Sequence, residues 1–194
     1  MDLAILHYHL NRGGVTQVIV NQLRALDAAR GGRPARVSIL YGGRREAFPP
    51  GLPEQLPGLA LEVRAVPALD YDEGGSAPDA ERLAGELEAV LGEREFLPET
   101  TLLHVHNSNL GKNLSLPGAL RILALRGYRL LLQIHDFAED FRPDNYRRLL
   151  HGLVGGCPAA LSAALYPQAA HVHYATLNGR DTRMLQGAGF VGAR

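Results

Sequence analysis

The chain has 194 residues, with 20 Lys and Arg balancing 20 Asp and Glu to a formal net charge of +0. That length suits one domain with a substantial core, and the balanced charge leaves no electrostatic footprint for nucleic acid or an anionic membrane. The single Cys157 excludes an internal disulfide and fits a reducing compartment, so a cytoplasmic location is expected.

The opening MDLAILHYHL lacks the basic start and cleavage site of an export signal, so no export is expected. Its Leu3–Tyr8 reads as a strand, and Val15–Ala29 as a helix in which Val15, Val18, Ile19, Gln22, Leu23 and Leu26 recur at helical spacing. Strands follow at Arg36–Tyr41 and Leu61–Val66, separated by a Gly- and Pro-rich stretch, residues 42–60, that reads as a loop. Pro78 and Asp79 mark the start of a helix running to Leu91, and Thr101–His106 is a fourth strand. Leu114–Arg126 reads as a helix stopped by Gly127, and Tyr128–Ile134 as a continuous apolar strand buried on both faces. Arg121, Arg126 and Arg129 interrupt residues 114–134, the longest apolar candidate, which falls short of a bilayer-spanning segment and implies a soluble protein. Residues 144–166 hold one or two helices broken near Gly155, Gly156 and Pro158, before a strand at Ala170–Ala175 and a helix at Gly179–Gln186.

Alternating strands and helices imply a mainly parallel sheet with right-handed crossovers, a single doubly wound α/β domain over residues 1–194. Ligands of such sheets bind beyond the carboxyl ends of the strands, where the strand order reverses.

Four segments fall at such places. After the first strand, Gly13 and Gly14 can bring backbone N–H groups to an anion at a helix start. Neither the dinucleotide fingerprint nor a Walker sequence is present, which argues against nicotinamide and P-loop nucleotides. A tight turn without a ligand is the competing reading, since Gly is common in such turns for steric reasons alone. The fourth strand ends in HVHNSNLGKN, with His104 and His106 on one face and Asn107, Ser108 and Asn109 in the loop. The fifth ends in QIHDFAEDFRPDNY, which places His135 and Asp136 at its tip with Glu139, Asp140, Arg142 and Asp144 behind. The pairs His7/His9, His104/His106 and His171/His173 have a zinc-compatible spacing, but they lie on different strands without a Cys cluster, so no metal site is expected. Cys157, between Gly156 and Pro158, reads as a buried, inert thiol.

Together, HLNRGGVTQVIVNQLRAL, HVHN, QIHDFAEDFRPDNY and YATLNGRDTRMLQGAGF, in that order, resemble the N-terminal half of family 4 retaining glycosyltransferases of the two-domain GT-B kind. The resemblance covers most of the chain and implies a Rossmann-like, acceptor-side domain. It implies that Gly13 and Gly14 face the diphosphate of a nucleotide-sugar donor, and that His135 and Asp136 act at the transferred sugar. His106, Asn107, Asn109, Lys112 and Arg142 are then expected to bind a sugar or glycolipid acceptor. The nucleotide sugar enters as a substrate, and no further cofactor is implied. The family's donor signature, two Glu eight residues apart at a helix start, belongs to a second domain. Pairs at Glu46/Glu54, Glu54/Glu62 and Glu73/Glu81 have that spacing, but Pro49, Pro50, Pro53, Pro57 and Pro78 argue against a helical donor site there. The expected chain is therefore half of a transferase, inactive alone, that works with a C-terminal donor domain or a separate donor subunit. A non-catalytic sugar- or phosphate-binding module would use the same strand tips.

Overall fold

The computed structural model describes residues 2–72, 77–187 and 189–190. Six strands form one sheet in the order β3-β2-β1-β4-β5-β6: β1 (Asp2–His7), β2 (Ala35–Tyr41), β3 (Leu59–Ala65), β4 (Thr101–His106), β5 (Arg129–Ile134) and β6 (Val172–Thr176). Every pairing is parallel. The order reverses between β1 and β4, so their carboxyl ends flank the crevice where sheets of this kind bind ligands.

The two faces carry separate apolar cores. On one, Ile5, Val37, Ile39 and Tyr41 meet Ile19, Val20 and Leu23 of α1 (Gly14–Ala29). Leu52, at the start of the short α2 (Leu52–Gln55), and Leu56 close the same core. On the other, Ala4, Leu6, Leu103, Val105, Leu130 and Leu132 pack under α3 (Ala80–Gly92) and α4 (Ser115–Leu125), with Leu149 of α5 (Pro143–Val154) and Leu161 and Leu165 of α6 (Pro158–Leu165) extending that layer. Each wholly buried Leu or Ile contributes on the order of 1.5–3 kcal/mol, so the alternation of apolar positions along β1 fixes which face each strand residue serves. Helix α7 (Gly179–Gly187) follows β6.

The sequence-based boundaries hold to within about two residues, with informative exceptions. Residues 42–60 are not all loop: Pro53 sits in the first turn of α2, where its missing N–H costs nothing. Glu54 lies in that helix, Glu62 in β3, and Glu73 outside the described residues. Pro67–Leu69 forms a 3-10 turn that periodicity did not suggest. The fifth strand is not sealed on both faces: Arg129 is exposed and Leu131 only half-buried. Cys157 is exposed, at the N-cap of α6, so the expectation of a buried thiol does not hold. Among the described residues no single helix is long and apolar enough to cross a membrane.

Candidate functional site at the switch point

The site is built around Asn107. It follows β4 in a left-handed conformation, φ 57, which Asn tolerates better than most side chains. From there its side-chain oxygen accepts the backbone N–H of His135 at 2.8 Å and of Asp136 at 3.2 Å. Its own carbonyl accepts the hydroxyl of Tyr8 at 2.8 Å, which ties the β1 tip to the β4 tip. Asn109 Nδ2 donates to the carbonyl of Asp136 at 3.1 Å and lies 3.3 Å from the Tyr166 hydroxyl. Three strand tips are thus held by buried amides, at 4% exposure for Asn107 and 1% for Asn109.

On the α1 side of the sheet β4 presents two histidines, His104 and His106. The parallel register pairs Ile5 with His104, so His7, one step further along β1, belongs to the same cluster. The His104 and His106 rings lie 4.4 Å apart, and His106 and His135 5.2 Å apart, between centroids. His106 Nδ1 is 2.9 Å from His135 Nε2, and His7 Nδ1 is 3.3 Å from the His106 carbonyl. His104 Nε2 lies 2.8 Å from Gln133 Oε1, which also accepts Gln22 Nε2 of α1 at 2.8 Å. Burial disfavours the imidazolium form throughout. It pushes His7 down to about 4 against the opposing bond to the His106 carbonyl. It also depresses His106, where His104, His7 and His135 reinforce the effect. His104 and His135 are lowered by burial too, opposed at His104 by its bond to Gln133 and at His135 by Asp136. The cluster is therefore a set of neutral imidazoles, able to donate and accept hydrogen bonds without carrying charge.

The rim is cationic and aromatic. His9 Nε2 is 3.1 Å from the Tyr71 hydroxyl, and Arg44 and Lys112 stand over the Tyr71 ring at 5.1 and 5.2 Å. Arg44 is neutralised by Asp70, to which its Nε donates at 2.8 Å. Lys112 has no ion pair among the described residues. On the far side Arg142 pairs with Asp136 at 3.0 Å. Behind it Glu139 accepts the Tyr166 hydroxyl, Asp140 pairs with Arg180, and Asp144 pairs with Arg147.

Gly13 and Gly14 open α1, whose start has no side-chain cap and no acidic residue in its first turn. Gly13 is extended, with φ 173 and ψ 167. A Cβ on Gly13 would come no nearer than 4.0 Å to another atom, and one on Gly14 would meet nothing within 4 Å. Turn sterics therefore require glycine at neither position. Gly42 differs: a Cβ there would lie 2.5 Å from Asp70 backbone atoms and the Tyr8 carbonyl.

His106, Asn107 and Asn109, which the sequence suggests as acceptor contacts, are thus buried and occupied in holding the tips, while Lys112 and Arg142 sit at the rim. Tyr8, Gln22, Gln133, Tyr71 and Tyr166 carry no site signal of their own in the sequence, and His7 shows only as half of the His7/His9 spacing. Gln22 left a trace, a polar residue inside the apolar stripe of α1. The described residues contain no group of three or more His, Cys, Asp or Glu placed to hold a metal ion. His171 bonds the Ala124 carbonyl at 2.9 Å, away from the crevice.

No protein-family model matches this sequence. No solved structure matches it either. Among curated proteins it is similar to the mannosylglucosyl-3-phosphoglycerate synthase of Petrotoga mobilis, with 27% identity over 186 residues. The match takes in 95% of this chain and 34% of the relative, so the chain spans about a third of that protein's length. By this match the chain is a distant homologue of a glycosyltransferase.

Proposed function

We propose that this chain is the acceptor-side domain of a retaining, two-domain GT-B glycosyltransferase of the family 4 kind, acting on a nucleotide-sugar donor. The observation that carries the reading is the Asn107 clamp, which fixes a His-Asp step at the tip of β5, beside the reversal of strand order. The distant relationship to a sugar-transferring synthase over 95% of the chain supports it.

In this reading the open backbone at Gly13 and Gly14 receives the donor diphosphate, and the uncapped start of α1 supplies N–H groups and a positive dipole end. Fixed dipoles aimed at leaving-group oxygens stabilise the charge that develops as the sugar departs. His135, neutral at physiological pH, bonds a hydroxyl of the transferred sugar, and Asp136 holds Arg142 at the mouth of the crevice. Lys112, with Arg142, faces the acceptor. The relative's name contains a phosphoglycerate, and an anionic acceptor of that class suits Lys112, which has no ion pair among the described residues. The nucleotide and ribose of the donor are bound by a second domain or subunit.

The test is a pair of measurements. In a two-domain enzyme carrying this domain, His135→Ala lowers transfer by orders of magnitude while the circular dichroism spectrum and melting temperature stay near wild type. With the chain alone, nucleotide sugars perturb amide resonances at Gly13, Gly14 and His135. Normal turnover by the His135→Ala enzyme, or perturbations confined to other surfaces, would remove the proposal.

A further inference from the structure

We infer that His106 is a positioning residue that fixes the tautomers of both His135 and His7, donating from its ring to the first and accepting at its carbonyl from the second. The His7 case is direct. Its Nδ1 faces the carbonyl oxygen of His106 at 3.3 Å, and a carbonyl only accepts, so His7 carries its proton on Nδ1 and leaves Nε2 as a lone pair. The His135 case follows from burial. One proton lies between His106 Nδ1 and His135 Nε2, 2.9 Å apart. His106 has 0% exposure, and its Nε2 is buried with no hydrogen-bond partner. Were His135 the donor, the proton of His106 would have to sit on that orphaned Nε2. A buried N–H without an acceptor is the rarer and costlier defect, whereas an unused lone pair is better tolerated. His106 therefore donates from Nδ1, His135 Nε2 accepts, and the proton of His135 resides on Nδ1.

His104 does not compete for the orphaned nitrogen. Gln133 Oε1 already accepts from Gln22, and it also holds the His104 Nε2–H at 2.8 Å. The outward nitrogens, Nδ1 of His135 and Nε2 of His7, are neither bonded to described residues nor among the buried unpartnered atoms. The crevice is thus offered a donor from His135 and an acceptor from His7, both uncharged. This suits hydroxyl groups, which donate and accept at once. That use rests on the proposed function; the tautomers themselves do not.

The experiment is a long-range proton–nitrogen correlation of the imidazoles in the 15N-labelled full chain at neutral pH without ligand, which separates protonated from bare ring nitrogens. His135 is expected to show a protonated Nδ1 and a bare Nε2, and His7 likewise. In His106→Leu the donor to His135 is gone, and His135 is expected to become a tautomer mixture. In His106→Asn the side-chain amide stands where Nδ1 was, so His135 is expected to keep the wild-type pattern. A wild-type His135 protonated on Nε2 overturns the inference, as does a His106→Leu chain with an unchanged pattern. If His106→Leu does not fold, the wild-type and His106→Asn spectra still decide. A null titration with nucleotide sugars would count against the proposed function and leave the tautomers standing.

Discussion

The side-chain oxygen of Asn107 accepts the backbone N–H of His135 at 2.8 Å, so the residue after one strand holds the residue after the next. The same oxygen takes the N–H of Asp136. Removing it leaves two backbone donors to find water in a half-buried place. Asn107→Ala is expected to lower stability by about 1–3 kcal/mol, through the lost acceptor and through a methyl side chain forced to φ near 57. The distinguishing readout is amide hydrogen exchange, which should accelerate at His135 and Asp136 more than in the strand cores. Uniform acceleration would show that Asn107 supports the fold generally and has no special hold on the β5 tip.

Two glycines near the site should respond in opposite directions. At Gly14 an added methyl meets no atom, and the helical position rewards the loss of chain entropy in the unfolded state. Gly14→Ala should stabilise the chain by about 0.4–1 kcal/mol, yet weaken any anion bound against the start of α1. At Gly42 a methyl would overlap the Asp70 backbone and the Tyr8 carbonyl at 2.5 Å. There Gly42 N–H also donates to that carbonyl at 2.9 Å, so the backbones cannot part without losing the bond. Gly42→Ala should cost about 1–3 kcal/mol or more. Urea midpoints compare the two directly, and equal shifts would contradict the steric distinction.

The fold was largely legible because each strand and helix announces itself locally, as with the apolar recurrence in α1 or the unbroken run of β5. The tips were half legible. His135 and Asp136 could be found because they end an apolar strand. The burial of His106 could not, because it depends on β1 and β5 lying on either side of β4, a fact of strand order that no single segment contains. For the same reason the sequence shows His7 only as half of a His7/His9 pair. Its partner is the carbonyl of a residue 99 positions away. The exposure of Cys157 is likewise not legible from its neighbours in sequence, because it depends on which side of the α5–α6 junction is covered.

Stability should fall as the pH drops from neutral towards 4. The folded His7 is held down to about 4 against an ordinary 6.5, and His104, His106, His135 and His9 are shifted the same way. Between those limits the unfolded chain binds more protons than the folded one, so unfolding free energy rises with pH there. Above the unfolded value all forms are neutral and the dependence vanishes. His7 alone accounts for about 3 kcal/mol between the plateaus, at about 1.4 kcal/mol per pH unit. The carboxylates lowered by ion pairs, Asp2 and Asp70, act below 3.8, outside this window. Urea unfolding at several pH values between 7 and 4.5 tests this, and a flat profile would show that the imidazoles are solvated in solution.

The last expectation concerns what this chain does alone. In the proposed function the donor diphosphate meets backbone N–H groups and the uncapped start of α1, while the base and ribose are held by the second domain or subunit. Charge contacts with an exposed helix start contribute about 0.3–1 kcal/mol each, whereas micromolar binding corresponds to about 8 kcal/mol. Even several such contacts fall short, and the ordering cost of the ligand is still to be subtracted. The purified chain is therefore expected to bind nucleotide sugars at millimolar strength at best and to transfer no sugar. A fused or added donor domain should raise affinity by supplying the missing contacts, while Gly14→Ala should reduce what little the chain binds. Titration followed by amide shifts, alongside a radiolabelled transfer assay, measures both. Turnover by the chain alone would mean that donor and acceptor are both bound within this one sheet, and the acceptor-side reading would then have to be given up.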